Sequence, residues 1–379
     1  MENAIYNIAI IGTGFVADLY VRSFKASPEV EIVCAFDIDA ARLVKFCDYW
    51  KINKAKTVDD LLSDKRISLI LNLTNPASHY EVSKYCLEAG KHVYSEKPLA
   101  LEMNHAYELF ELAKENDLMI GSAPCSFLSE TAQTLRYALE AKKAGKPYLI
   151  YAELDDDFIS KAPYKKWKSE SGAPWPYKDE FEVGCTIEHA GYYLTWLMMI
   201  FGTVETVVSA TANLVDNSLI SDKVAPDFST AILYFKSGVV ARLTCSIIAT
   251  HDHKIRIFCE NGVLSVKECW NNTSSVFFKS RKVIRRRLIN NPFSKKIKLP
   301  GPTHPKVGKF GAASMNFALG PVDMLKSISE NGTTRMSSKF ALHLNEVTLA
   351  INNPGRQGKT HTMKTTMPNI EPMPWAKIT

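Results

Sequence analysis

In "IIGTGFVADLY", residues 10–20, the motif Gly12-x-Gly14-x-x-Ala17 follows an apolar run and opens a helical pattern. A second apolar run, residues 30–36, ends at Asp37. In this setting Gly12 permits a tight turn, Gly14 lets a ligand approach the backbone, and Ala17 allows the helix to pack closely on the strand. The order predicts a dinucleotide site in which the helix N-terminus faces the pyrophosphate.

The choice of cofactor depends on Asp37 and on the basic residue that follows it. Asp37 can accept hydrogen bonds from both hydroxyls of the adenosine ribose, and it would repel a 2′-phosphate. The first basic residue after it is Arg42. We therefore predict NAD, with NADP as the alternative that Arg42 leaves open. The predicted phosphate turn also includes Thr13, Phe15 and Val16.

Strand and helix patterns alternate through residues 4–125. Near-continuous apolar runs at 4–11, 30–36, 67–73 and 92–95 are separated by helical segments. Such runs are typical of a parallel sheet that is covered on both faces, so we predict an α/β fold with a Rossmann doubly wound sheet. Ligands bind at the carboxyl edge of such sheets. Residues Thr74, Asn75 and Pro76 end one predicted strand at that edge, and Lys97 follows the next.

The pattern changes after about residue 147. Longer strand patterns follow one another, two pairs of them joined by hairpin-like turns at 236–238 and 260–262. This predicts a second α/β domain with an open, mainly antiparallel sheet and helices at 186–201, 316–330 and 338–352. The predicted division is a cofactor domain at 1–125, a substrate-binding and oligomerisation domain at 126–353, and an extended tail at 354–379.

The net charge of +6 comes from one segment. Residues 279–298 contain nine Lys or Arg and no acid, and the chain without those nine charges carries −3. A basic balance confined to one segment does not indicate a nucleic-acid-binding protein. We predict a solvated loop there. Contact with an anionic substrate, a membrane surface or another subunit are the alternatives.

Cysteine usage and hydropathy favour a reduced, cytoplasmic protein. The eight cysteines form no Cys-x-x-Cys pair, which argues against a disulfide framework or a zinc site. No apolar run has the length of a membrane span, and the N-terminus lacks the features of a signal peptide. The "HDH" at 251–253 is predicted to be a polar strand edge, so no metal is expected.

A second candidate site lies in "GCTIEHAGYYLTWLMMIFG", residues 184–202, which predicts a helix with an apolar second half. Glu188 and Tyr192 are four residues apart and share one face, and His189 borders it. The alternative is a core tyrosine and a glutamate that only suits a helix N-terminus. The preceding loop places Trp175 and Tyr177 as candidate sugar-binding aromatics, or as packing within their own domain.

These motifs, in this order, resemble the Gfo/Idh/MocA oxidoreductase family, and "EAGKHVYSEKPLA" (88–100) is the most distinctive part. The resemblance implies interconversion of a hydroxyl and a ketone on a sugar or cyclitol with NAD(P), with Lys97 binding the reacting oxygen. The family's helical motif, Asp-x-Gly-x-x-x-His, falls on Glu188, Ala190 and Tyr192, so this chain departs at each position. The resemblance also places His79 and Glu96 beside the cofactor.

The predicted chemistry uses Tyr192 as acid/base and Lys97 as a cation. A free phenol has a pKa near ~10, so a base at neutral pH requires a nearby positive charge that stabilises the phenolate. Lys97 could supply that charge and also stabilise an alkoxide. Glu188 would orient a neighbouring hydroxyl, and His189 is an alternative acid/base.

Two other functions are compatible with the same resemblance. One is glycoside hydrolysis assisted by transient oxidation with NAD, and the other is a non-catalytic regulator that senses a sugar or dinucleotide. A homodimer or homotetramer is expected from the resemblance alone.

Overall fold

The computed structural model describes residues 6–299, 307 and 311–377. Its N-terminal half confirms the predicted Rossmann architecture, since the described strands form one parallel sheet. The strands are β1 (Tyr6–Ile11), β2 (Val30–Phe36), β3 (Asn53–Lys54), β4 (Leu69–Asn72), β5 (His92–Ser95) and β6 (Ile120–Ser122). They pair in the order β3-β2-β1-β4-β5-β6, so the chain reverses its direction of winding at β1.

Helices cover both faces of this sheet, and local sequence explains where they begin. The Asp39 carboxylate accepts the backbone N–H of Arg42 at 3.0 Å, which caps the second helix of the chain. The fifth helix buries Ala106, Leu109 and Ala113, a spacing that makes one apolar stripe. The helices are α1 (Phe15–Phe24), α2 (Ala40–Trp50), α3 (Val58–Ser63), α4 (His79–Glu88) and α5 (Met103–Glu115).

The second half confirms the predicted open, mainly antiparallel sheet. Of its described pairs, only β7 with β10 is parallel. The strands are β7 (Pro147–Asp155), β8 (Val204–Ala212), β9 (Phe228–Phe235), β10 (Val240–Ser246), β11 (Ile255–Cys259), β12 (Gly262–Val266), β13 (Val276–Ile284), β14 (Arg287–Asn290), β15 (Lys295–Ile297) and β16 (Thr360–Thr362). Their order is β14-β13-β12-β11-β7-β10-β9-β8-β16, with β15 paired to β13.

The helix predicted at 186–201 is present, but its first turn is not α-helical. The preceding helix ends in a break at Gly184, which has φ +86°, and a Cβ there would lie 2.8 Å from the Cβ of Ala225. A π-helical turn (Thr186–Ala190) then leads into a helix whose Trp196 and Leu197 are fully buried. The remaining helices are α6 (Glu130–Glu140), α7 (Tyr177–Cys185), α8 (Gly191–Phe201), α9 (Leu319–Ser329) and α10 (Ser338–Asn352).

Helix α10 packs on the Rossmann half, although the sequence assigns it to the second domain. The backbone N–H of Ala100 donates to Asn345 Oδ1 at 3.2 Å, and that of Ile120 donates to Ser338 Oγ at 3.3 Å. The two halves are thus joined through this helix as well as through the direct connection. The division at residues 125 and 353 stays a prediction.

The basic segment 279–298 is not the loop that we predicted. Most of it lies in β13, β14 and β15, and β13 and β14 form a hairpin at one end of the large sheet. Val283, Leu288 and Phe293 are at least 60% exposed there. Backbone hydrogen bonds hold the hairpin together. Its amino-acid composition does not indicate a strand, because few of its side chains are buried.

The C-terminal segment is bound to the rest of the molecule. Strand β16 pairs antiparallel with β8. Further along, the Arg335 guanidinium donates to the carbonyl oxygens of Glu371 and Pro372, each at 3.0 Å.

Two general expectations can be compared with the fold. In the part of the chain that the structure describes, no helix combines the length and apolarity needed to cross a membrane. All eight cysteines lie in that part as free thiols, and seven of them are buried.

Candidate active site

A cleft of about 1260 Å³ lies where the carboxyl edge of the parallel sheet meets the second half. It brings together residues that the sequence separates by more than 250 positions. From the Rossmann half it is lined by Gly12, Gly14, Phe15, Val16, Asp37, Arg42, Thr74, Asn75, Pro76, His79, Glu96 and Lys97. From the second half it is lined by Asp156, Trp175, Glu180, Glu188, His189, Tyr192 and Trp270, among others.

The glycine turn leaves the N-terminus of α1 accessible from this cleft. Gly12 has φ +95°, and a Cβ on it would lie 2.6 Å from the backbone carbonyl of Leu73. A Cβ on Gly14 would meet nothing within 4 Å, so this residue borders open space. The turn therefore has the close strand contact and the free approach that a pyrophosphate requires.

Asp37 is held by groups on both sides. Its Oδ2 accepts the backbone N–H and the hydroxyl of Thr13 at 2.7 and 2.8 Å, and Arg42 donates to both carboxylate oxygens at 3.0 and 2.7 Å. Burial raises the pKa of Asp37, but the hydrogen bonds from Arg42 and Thr13 hold it below its usual range. Thr13 is fully buried and is not among the described cleft residues, so it orients Asp37 from behind.

His79 joins the two turns at the strand ends. Its Nε2 lies 3.0 Å from the carbonyl oxygen of Thr74, and its Nδ1 lies 2.7 Å from that of Pro98. Burial lowers its pKa, so the neutral ring is favoured. Because a neutral imidazole has one N–H, His79 donates to one of these carbonyl oxygens and packs beside the other, between the two turns that the cofactor would contact.

Glu96 fixes the backbone next to Lys97. Its Oε1 accepts the hydroxyl of Tyr20 at 2.7 Å, and its Oε2 accepts the backbone N–H of Lys97 at 3.1 Å. Both Tyr20 and Glu96 are buried. Helix α1 thus supports the lysine turn as well as the phosphate turn.

Lys97 forms an ion pair with Glu188 across the cleft. Burial lowers the pKa of the Lys97 ammonium, but the negative charge of Glu188 outweighs burial and raises it above its ordinary value. Burial likewise raises the pKa of Glu188, whereas Lys97 and a hydrogen bond with Glu180 bring it below its usual range. At neutral pH the pair is ionised on both sides.

Glu180 is a member of this network that the sequence analysis missed. Burial, followed by the negative charge of Glu188, raises its pKa well above the ordinary value. This direction favours the protonated carboxyl, the form in which Glu180 can donate a hydrogen bond to Glu188. The two carboxyls are eight residues apart, and the break at Gly184 lets them meet.

Tyr192 is a neutral phenol. Burial raises its pKa far above 10, and the Lys97 charge lowers it only in part because Glu96 and Glu188 act in the opposite direction. Lys97 thus favours the phenolate, as predicted, but burial outweighs it and the free protein holds the neutral phenol, so the role of Tyr192 as a base stays a prediction. The ring packs edge-on against Trp270 at a centroid distance of 5.9 Å.

The remaining candidates divide between the cleft and its surroundings. His189 lines the cleft, and its Nε2 lies 3.5 Å from Asp156 Oδ2. Trp175 also lines it and packs against Trp167 at 5.1 Å. Tyr177 is not among the described cleft residues: it packs 5.3 Å from the ring of Tyr164, so the structure does not place it as a substrate contact.

The "HDH" segment is not the polar strand edge that we predicted. It precedes β11, and the side chain of His253 is fully buried. An isolated antiparallel β-bridge between the backbones of Asp155 and Asp252 places the segment beside the end of β7. The local sequence pattern does not predict this pairing.

The glycine turn, the Asp37 carboxylate and the lysine turn on one cleft define an NAD-binding oxidoreductase. Residues 6–123 match the model of the oxidoreductase family with an NAD-binding Rossmann fold, and residues 132–265 match the GFO/IDH/MocA C-terminal domain. Together these matches cover most of the chain. The protein belongs to the Gfo/Idh/MocA family, and NAD(P) is its cofactor.

Relatives with assigned activities are distant. The chain is 25% identical to a myo-inositol 2-dehydrogenase of Thermotoga maritima, over 67% of this chain and 73% of that protein. It is 22% identical to the mouse trans-1,2-dihydrobenzene-1,2-diol dehydrogenase, over 72% of this chain and 78% of the relative. The solved UDP-N-acetylglucosamine 3-dehydrogenase of Acidithiobacillus ferrooxidans shares the fold, with TM-score 0.67, 18% identity and coverage of 92% and 97%.

Proposed function

We propose that this protein is an NAD(P)-dependent dehydrogenase or ketoreductase that interconverts a hydroxyl and a ketone on a sugar, a sugar derivative or a cyclitol. The observation that carries this proposal is the ionised Lys97–Glu188 pair beside the neutral phenol of Tyr192, on the cleft that also holds the dinucleotide turn. The relatives named for inositol and sugar-nucleotide oxidation support the substrate class.

In the reducing direction Tyr192 is the proton donor. The bound cofactor supplies the hydride. The Lys97 ammonium has three donor hydrogens, and with one on Glu188 it has others for the carbonyl oxygen on which negative charge develops. Tyr192 then gives its proton to that oxygen. General-acid help of this kind is worth about 10²–10⁴ in rate.

In the oxidising direction the same groups act in reverse. Glu188 is the base that takes the proton of Tyr192, while the Tyr192 oxygen takes the proton that the substrate hydroxyl loses, and the Lys97 ammonium stabilises the negative charge on these oxygens. The raised pKa of Glu180 favours a protonated carboxyl that can donate a hydrogen bond to Glu188. This role for Glu188 differs from the orienting role that we predicted, and His189 beside Asp156 stays the alternative acid/base.

The experiment compares wild type, Lys97→Ala and a control, Lys165→Ala, which removes an exposed lysine outside the described cleft lining. NADH formation is measured with NAD⁺ and a panel of sugars, sugar phosphates, nucleotide sugars and cyclitols, and NADH consumption with the matching ketones. We expect wild type and Lys165→Ala to turn over, and Lys97→Ala to lose more than about 10²-fold while still binding NAD⁺. Unchanged turnover in Lys97→Ala would refute the mechanism.

The two alternatives give different results in the same experiment. An NAD-assisted glycosidase releases a sugar without net change in NADH. A sensing regulator binds the dinucleotide but turns over nothing in either direction. Retention of Lys97 with a titratable partner at position 192 favours catalysis.

A homodimer or homotetramer is part of the proposal, since an open sheet often pairs with another subunit. Light scattering coupled to size-exclusion chromatography measures it directly. A stable monomer at micromolar concentration would contradict the expectation.

A further inference from the structure

Two histidines and an aspartate meet at the wall of the cleft, outside the catalytic pair. His251 Nδ1 lies 3.6 Å from Asp156 Oδ1, and His253 Nε2 lies 3.8 Å from the same oxygen. One ligand atom from each of the three side chains lies within 4.8 Å of the others. The three residues come from the end of β7 and from the segment before β11.

Glu268 determines which nitrogen of each ring faces Asp156. Its Oε1 lies 3.0 Å from His253 Nδ1, and its Oε2 lies 3.1 Å from His251 Nε2. The backbone N–H of Trp270 donates to the same carboxylate at 2.9 Å and holds it in place. Because a carboxylate only accepts, each ring presents an N–H to Glu268, and a neutral ring then directs its lone pair at Asp156.

The Nε2 atom of His253 is the clearest indication of a missing ligand. Its side chain is fully buried, yet its Nε2 has no hydrogen-bond partner within the described part of the chain. A buried nitrogen without a partner is unfavourable, and native structures rarely leave one. A histidine that donates one nitrogen to a carboxylate and offers the other is the usual arrangement of a metal-binding imidazole.

The separations fit a small cation. Zn–N and Zn–O bonds of about 2.0–2.1 Å in a tetrahedral site place neighbouring ligand atoms about 3.4 Å apart. The separations of 3.6 and 3.8 Å between Asp156 Oδ1 and the two histidine nitrogens need a few tenths of an ångström of contraction, and the ligand atoms of the two imidazoles lie within 4.8 Å of each other. Two imidazoles and one carboxylate suit Zn²⁺ and neighbouring transition metals, whereas Mg²⁺ and Ca²⁺ prefer oxygen donors only.

We propose that Asp156, His251 and His253 form a divalent transition-metal site, with Glu268 as the outer carboxylate that orients both imidazoles. Three protein ligands leave coordination positions open. The site is continuous with the cleft, because Asp156 and His189 both line the cleft and His189 Nε2 lies 3.5 Å from the second oxygen of Asp156. A cation there could bind a substrate oxygen, a step that rests on the proposed function.

The test is Zn²⁺ binding to metal-free protein without a polyhistidine tag, measured by calorimetry, with Co²⁺ absorption as the spectroscopic readout. We expect one equivalent of Zn²⁺ and a Co²⁺ spectrum of nitrogen and oxygen ligation. His251→Gln should weaken Zn²⁺ binding by at least ~100-fold, and Glu268→Gln by ~10–100-fold. The control is His105→Gln, which changes a histidine stacked on Tyr80 in the Rossmann half.

These variants keep the proposal refutable. His251 is 41% exposed, so its replacement should leave the fold intact, unlike replacement of the buried His253; circular dichroism checks this. Binding that is substoichiometric, or equally tight in His251→Gln, would show that the cluster is an ion-pair network with no metal. Because Zn²⁺ binding is measured without substrate, its outcome is independent of whether the proposed oxidoreductase reaction is found.

Discussion

Replacing Glu180 by Gln tests the shared proton in the active site. Glutamine is close in shape to a protonated glutamate and can still donate a hydrogen bond to Glu188. If Glu180 is protonated in the folded protein, this change removes no native charge. The variant should therefore keep the Lys97–Glu188 pair and bind NAD⁺ like wild type.

The magnitude follows from proton linkage. Unfolded Glu180 loses its proton near pH 4.3, whereas folding raises its pKa well above that value. The stability that the proton contributes to wild type is present at low pH and is lost as pH rises towards the folded pKa. Glutamine does not titrate, so the stability of the variant relative to wild type should rise by about 1.4 kcal/mol per pH unit.

Urea unfolding at pH 5, 6 and 7, followed by tryptophan fluorescence, measures this difference, and we expect it to shift towards the variant as pH rises. The control is Glu182→Gln, an exposed carboxylate on the same helix that accepts a hydrogen bond from Ser221. A difference between Glu180→Gln and wild type that stays constant from pH 5 to 7 would show that Glu180 is ionised, and the network as described would be wrong.

Three further changes test other parts of the site. Gly12→Ala should abolish binding of the dinucleotide, measured with NADH by its fluorescence, because a Cβ would lie 2.6 Å from the Leu73 carbonyl. Near-normal NADH binding would contradict the turn geometry. Asp37→Ser releases Arg42, so the ratio of NADP⁺ to NAD⁺ affinity should rise at least ~10-fold, and an unchanged ratio would show that Asp37 does not select the cofactor. Asp323→Asn weakens the ion pair between buried Asp323 and half-buried Arg335, which should destabilise the fold by about 1.5–3 kcal/mol in thermal unfolding; a negligible shift would mean that the pair contributes nothing.

Local sequence predicts those elements whose burial has a clear period. Strand β2 and helix α10 have the predicted bounds. Strand β2 is an apolar run that ends at Asp37, and helix α10 carries a continuous apolar face. The dinucleotide turn was equally readable, since its strand, glycines and helix are contiguous in the chain. In each case the interactions that determine the structure lie within about twenty residues.

The missed features depend on long-range geometry. In an unbroken helix Glu180 and Glu188 would stand about 12 Å apart, at 1.5 Å per residue, so no helical pattern predicts that they share a proton. Asp156 and His253 meet because β7 pairs with β11, two strands separated by about a hundred residues. The phenol of Tyr192 stays neutral because burial outweighs the lysine, and burial of that kind cannot be read from spacing.

The docked tail has a consequence for how this chain tolerates truncation. Strand β16 covers one end of the large sheet, so removal of residues after 353 would leave the N–H and C=O groups of β8 along that edge exposed to other chains. The other end carries the densely positive hairpin, on which like charges repel a second copy of the same edge. In a shortened form the hairpin edge of the sheet would still be protected by its charge, whereas the β8 edge could pair with other chains. We therefore expect the shortened form to lose solubility before it loses the cofactor site.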